Sequence, residues 1–236
     1  MEKPFISLYF QVIERKFVGR MILPLIKKEF TIEFRQKSTL AGILVYIVST
    51  IFISALCFNK IIHPVVWNSL FWVIFLFIAV NISSKSFMTE TKGKGLYNYL
   101  YYHPTHFILS KILYNMALLV VLSLLTFFFY SWFVGSMPNI NIAMFLVNLV
   151  LSSSAFAGVL SLMSAIASKA NNNISLMAIL SFPVLMPLLL VSIKFSKHAI
   201  DGLAWSVSYK YALILIMLNF VVVVLASLLF NYLWKD

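Results

Sequence analysis

Four histidines are the side chains of this sequence best suited to hold a metal ion or haem iron through a ring nitrogen: His63, His103, His106 and His198. Their spacing does not build a joint site. His103 and His106 flank Pro104, whereas His63 and His198 fall in separate stretches between apolar runs. Solvated loop histidines are the simpler account of all four, although His63 and His198 share the same predicted side of a membrane. The single cysteine, Cys57, allows no disulfide within the chain and no cysteine cage for a metal. None of the seven acids stands inside an apolar run. A proton-coupled transporter usually carries an intramembrane carboxylate or similar group, so this pattern argues against one.

Other chemistries lack their residues. The seven glycines are scattered, and none opens a G-x-x-x-x-G-K-[ST] phosphate loop. Neither HExxH nor GxSxG occurs. The expectation is a chain that is not an enzyme, contains no catalytic residue and no metal site, and binds no ATP by itself.

The elements that would position any site are set by composition. Of 236 residues, 62% are hydrophobic and 11% charged, against roughly 45–50% and about 25% in a soluble domain. Much of this apolar surface must face lipid. A bilayer core of roughly 30 Å asks for about 20 apolar residues per helix. Backbone groups in hydrocarbon must pair internally, so spans are helices or a closed barrel. The runs here are continuous rather than alternating, which excludes a barrel.

Six spans are predicted: Thr39–Phe58, Val65–Ser83, Phe107–Val134, Ile140–Ala167, Ile174–Phe195 and Tyr211–Leu233. The chain thus divides into a cytoplasmic or interfacial amphipathic segment, 1–38, and a six-helix membrane domain, 39–236. The net charge is +11. Placing the N-terminus in the cytoplasm leaves only Lys60, Lys194, Lys197 and Lys210 of the eighteen Lys and Arg residues on the opposite side. That asymmetry fits the positive-inside rule, with both termini cytoplasmic. It accounts for the basic balance without nucleic acid.

Three local features add to this frame. In "MILPLIKKEFTIEFRQK", Leu23, Ile26, Phe30 and Phe34 recur at helical spacing while Lys27, Lys28, Thr31 and Arg35 fall elsewhere on the wheel. Such a stripe suits a helix lying in the headgroup layer, attracted by anionic lipid. In the fourth span Ser153, Ala157, Ser161 and Ala165 recur every four residues, widened by Ser154 and Gly158. Small residues let helices approach closely, so packing within the bundle is preferred to a subunit interface or sliding surface. In the fifth span Pro183 and Pro187 each remove a backbone donor, which predicts a helix bend. Asn81, Asn115, Asn148 and Asn219 are expected to bond between helices. The tryptophans mostly suit an interfacial aromatic belt.

The segment Thr89–Lys111, "TETKGKGLYNYLYYHPTHFILSK", is longer than the roughly 2–8 residues that join most packed helices. Gly93 and Gly95 give the backbone freedom to turn, and Pro104 stops a short helix over Leu96–Tyr102 from running into the third span. Tyr97, Tyr99, Tyr101 and Tyr102 are stiff amphipathic contacts of the kind found at interfaces. They equally suit a belt at the membrane surface. Both readings stand on the residues alone.

These residues together resemble the CcmB family, the haem exporter protein B family, over nearly the whole chain. The matching features are "LIKKEFTIEFRQKS" before the first span, then Glu90, Gly95 and Leu96, then Pro104 and Lys111, and finally "SKANNNISLMAILSFPVLMPLLL" with Lys169, Pro183 and Pro187. The chain departs from the family at "YNYLYY", where an acidic, leucine-rich run is common. It also departs at the short "THFILSK" and at Asn171, Asn172 and Asn173, where the family has glycines.

The resemblance implies an ABC-2-like permease architecture. It implies a membrane subunit of an ABC-type complex of cytochrome c maturation in the bacterial inner membrane, built as a homodimer. The partners implied are a CcmA-like ATPase that binds ATP, a CcmC-like haem-handling membrane protein and a CcmE-like haem chaperone. Haem is implied as a transported or handled ligand rather than a resident cofactor. Residues Glu90, Gly95, Leu96, Tyr97, Tyr99, Leu100 and Pro104 would contact the ATPase. A non-transporting, force-transmitting assembly subunit and an ABC-2-type lipid or drug exporter are the alternatives.

Overall fold

The computed structural model describes residues 24–31, 37–58, 63–88, 104–169 and 174–233. All elements among the described residues are helices. A short helix, α1, covers 24–31. It is followed by α2 (Lys37–Phe58), α3 (Pro64–Met88), α4 (Pro104–Phe133), α5 (Ile142–Lys169), α6 (Ile174–Ile200) and α7 (Trp205–Leu233). The last six are long and apolar enough to cross a membrane, over 18 to 27 residues each. The chain is an all-α integral membrane protein, with the six predicted spans in the predicted order.

Local chemistry explains where the helices start and stop. Proline at the first helical position costs no hydrogen bond, because that N–H has no partner in the helix. Pro64 opens α3 and Pro104 opens α4 in this way. His63 Nδ1 accepts from Val65 N at 3.4 Å, and Asn141 Oδ1 accepts from Met144 N at 3.2 Å, which caps α3 and α5. The end of α6 is closed by a Schellman turn. Leu203 N donates to His198 O at 3.0 Å and Gly202 N to Ala199 O at 3.4 Å, with Gly202 at φ +69°.

Most boundaries lie within three residues of expectation, and three shift further: α3 continues past Ser83 to Met88, and the end of α6 and the start of α7 also move. Helix α6 continues past Phe195 to Ile200, and α7 begins at Trp205 rather than Tyr211. Polar residues at a span end do not break a helix when a glycine turn closes it afterwards. Lys197 and His198 therefore belong to α6 and not to a loop.

Successive spans alternate in direction. One end of the bundle gathers the end of α2, the start of α3, and the turns joining α4 to α5 and α6 to α7. The other end gathers α1, the end of α3, the start of α4, the end of α5 and the start of α6. Helix α5 is the axis of the bundle and packs against α3, α4, α6 and α7. Its span is 61% buried, against 17% for α2 and for α7 at the rim. Outward side chains such as Val45, Phe77, Phe128, Ile179 and Phe220 are apolar and exposed, as lipid contact requires.

Lipid is as apolar as leucine, so the helices associate by packing and hydrogen bonds rather than by a hydrophobic drive. The packing centre is aromatic. Trp67, Phe71, Trp72 and Phe75 of α3 meet Phe127 and Tyr130 of α4 and Phe145 and Phe156 of α5. Most pairs are edge-to-face, which sets a positive ring edge on a negative face.

Candidate functional site

The first candidate region lies at the end where α1 rests on α4. Leu25 and Phe30 turn inward, and Phe30 meets Tyr114 edge-on with ring centres 5.0 Å apart. Between them Glu29 reaches Lys111, with Oε2 3.7 Å from Nζ. Lys111 is 1% exposed and Glu29 13%. A charge this deep in an apolar span needs a partner, because desolvating an isolated ammonium is costly. One turn further along α4, Asn115 Nδ2 donates to Ser161 Oγ of α5 at 2.7 Å. Helix α1, the start of α4 and the axis helix are thus joined in one place.

A second polar cluster lies toward the opposite end, among α3, α5 and α6. Trp72 Nε1 donates to Ser196 Oγ at 2.8 Å, and Ser196 Oγ lies 2.6 Å from Asn68 Oδ1. Asn68 Nδ2 donates to Ile193 O at 3.0 Å. One turn along α6, Asn148 Nδ2 donates to Ser192 O at 2.9 Å, while Ser152 Oγ and Ser192 Oγ are 2.7 Å apart. These groups satisfy one another. They hold three helices in register and present no proton-transfer pair or open donor.

The small-residue strip of α5 is buried at Ser153, Ala157, Ser161 and Ala165. It packs inside the chain, as preferred from the sequence. A Cβ on Gly158 would stand 2.7 Å from Val222 Cγ1, so this glycine sets how closely α7 approaches. Four residues earlier, Ser154 Oγ donates to Asn219 Oδ1 at 2.8 Å, and Asn219 Nδ2 donates to Leu151 O at 2.9 Å. Asn115, Asn148 and Asn219 bond between helices as expected. Asn81 is exposed, and its backbone carbonyl accepts from Ser84 within α3.

Of the residues predicted to contact an ATPase, Glu90, Gly95, Leu96, Tyr97, Tyr99 and Leu100 lie outside the described residues. Pro104 is the first residue of α4. His103 lies outside the described residues, and His106 is in the first turn of α4 rather than in a connector. His63 is exposed at the start of α3. His198 is not a solvated loop histidine. It sits in the last turn of α6, with Nδ1 3.1 Å from Ser208 Oγ and its ring edge-on to Tyr211 at 4.9 Å. Among the described residues no three His, Cys, Asp or Glu side chains cluster as metal ligands do.

Pro183 and Pro187 lie within α6, and the helix continues across both. Each lacks the N–H that would bond four residues back, which frees the carbonyls of Ile179 and Pro183. Both prolines are exposed, on the side that also carries Phe182, Val184 and Met186. The expected aromatic belt is corrected for two tryptophans. Trp67 and Trp72 are fully buried, because their indole N–H groups find Gly135 O and Ser196 Oγ inside the bundle. Trp132 and Trp205 remain exposed near span ends.

Sequence reasoning passed over Glu29 and Leu25. One acid in an otherwise basic stretch, beside Phe30 on the apolar stripe, was the available signal. Lys111, a charge four residues after the start of the predicted span at Phe107, was its counterpart. No family model, no curated protein and no solved structure matches this chain.

Proposed function

We propose that this chain is the membrane subunit of an ABC-type complex of cytochrome c maturation, similar to the CcmB family. It couples ATP hydrolysis in a separate CcmA-like subunit to haem export or to release of a haem-loaded CcmE-like chaperone. A CcmC-like haem handler and a second copy of this chain complete the complex, in a bacterial inner membrane with both termini cytoplasmic.

The observation that supports the reading is the contact α4 makes with α1 shortly after the long connector in the sequence. Residues 89–103 feed directly into α4 at Pro104, and seven residues later α4 takes the contact with α1 at Lys111. A force applied to that connector acts at once on α4, and through Asn115 and Ser161 on the axis helix α5. The lack of a phosphate loop in the sequence supports a division of labour in which another subunit hydrolyses ATP.

The test is depletion of the chain in cells that make c-type cytochromes. The expected result is loss of covalently bound haem from those cytochromes, restored by the wild-type chain. Normal haem attachment would overturn the reading and favour a lipid or drug exporter. Within the reading, ATP-dependent haem transfer into vesicles holding this chain and its ATPase separates transport from force transmission alone.

A further inference from the structure

We infer that the Glu29–Lys111 pair is a register lock, which fixes one position of the short helix α1 on α4 so that the two helices move as a single body. The inference goes beyond the proposed function and holds whatever the bundle handles.

The apolar contacts of α1 cannot fix its position alone. Leu25, Ile26 and Phe30 would find apolar partners on α4 if the short helix slid or rotated by a turn, because such contacts are non-directional. A charge pair has no such freedom. Lys111 is 1% exposed, and any slide of α1 would withdraw the Glu29 carboxylate from it. A buried ion pair is weak evidence for stability, since desolvation offsets attraction, and its best-attested use is to specify register. The geometry fits that use. The separation of 3.7 Å is an ion pair rather than a tight hydrogen bond, and Glu29 sits on the same side of α1 as Leu25 and Phe30.

The Phe30–Tyr114 edge contact marks the same register one residue further along α1 and three along α4. It therefore serves as the reporter. The full-length chain in membranes, with Cys57→Ser to remove its native thiol, carries Phe30→Cys with Tyr114→Cys, and the yield of a short thiol cross-link is measured. A second pair, Ser154→Cys with Asn219→Cys, reports the α5–α7 contact elsewhere in the bundle.

Glu29→Gln, and separately Lys111→Met, are expected to lower the α1–α4 yield by about tenfold, the scale of coupling between contacting groups. Glu29→Asp, which keeps the charge, is expected to retain most of it. The α5–α7 yield is expected to stay unchanged in all three. An α1–α4 yield that survives both charge-removing substitutions would overturn the lock. Loss of both cross-links would also overturn it, since the pair would then support the whole bundle rather than position one helix.

Discussion

The indole N–H of Trp72 donates to Ser196 Oγ at 2.8 Å, joining α3 to α6 across 124 residues of sequence. The same hydroxyl lies 2.6 Å from Asn68 Oδ1. One oxygen thus accepts from one side chain of α3 and donates to another. Ser196→Ala is expected to lower stability by about 1–3 kcal/mol, because two buried groups lose their partner at once. Ser227→Ala, which removes only a bond to its own helix at Val224 O, is expected to change it by less than about 0.5 kcal/mol. Reversible unfolding in mixed micelles measures both, and equal effects would contradict this account of the α3–α6 contact.

Gly158 is the closest approach of α5 to α7 among the described glycines. An added methyl would lie 2.7 Å from Val222 Cγ1. Gly158→Ala is expected to destabilise the bundle by about 1–3 kcal/mol through overpacking. Val222→Ala in the same chain should recover part of that loss, which a double-mutant cycle detects. Gly42 of α2 is the contrast. A methyl added there would meet nothing within 4 Å, so Gly42→Ala should stabilise the helix slightly.

The spans were legible because hydrocarbon demands long apolar runs, and six such runs stand in the sequence between polar breaks. Their packing was not. Trp67 and Trp72 carry the same side chain as the exposed Trp132, and periodicity does not say which indole will find a buried acceptor. Three of the four asparagines, Asn115, Asn148 and Asn219, were readable, since a buried amide in lipid must find a partner, whereas Asn81 faces outward. Their partners, Ser161, Ser192 O and Leu151 O, depend on which helices neighbour α5. The end of α6 and the start of α7 were misplaced because Lys197, His198 and Lys210 read as loop, whereas charged side chains at a helix end reach out of the membrane without unwinding the backbone. The segment proposed to grip an ATPase rests on its length, its glycines and Pro104 alone, because residues 89–103 lie outside the described residues.

Gly202 closes α6 at φ +69°, and a Cβ there would stand 3.1 Å from Asn139 O. The same end is tied by Asn141 N, which donates to Ala199 O at 2.8 Å. Gly202→Ala is expected to cost about 1–2 kcal/mol from the left-handed backbone alone. Hydrogen exchange at Leu203 and Asn141 should quicken in that variant while exchange in the middle of α5 stays unchanged. Uniform quickening would mean that the turn supports the whole bundle rather than its own end.

The central claim is that the stretch before α4 receives a separate ATPase. Its most direct test is the amount of the complex's ATPase subunit that co-purifies with the full-length chain, compared between wild type, Tyr97→Ala/Leu100→Ala and the opposite-end control Lys197→Ala. The account predicts that the double variant loses most of the ATPase while Lys197→Ala retains it. Unchanged association in the double variant would contradict the account.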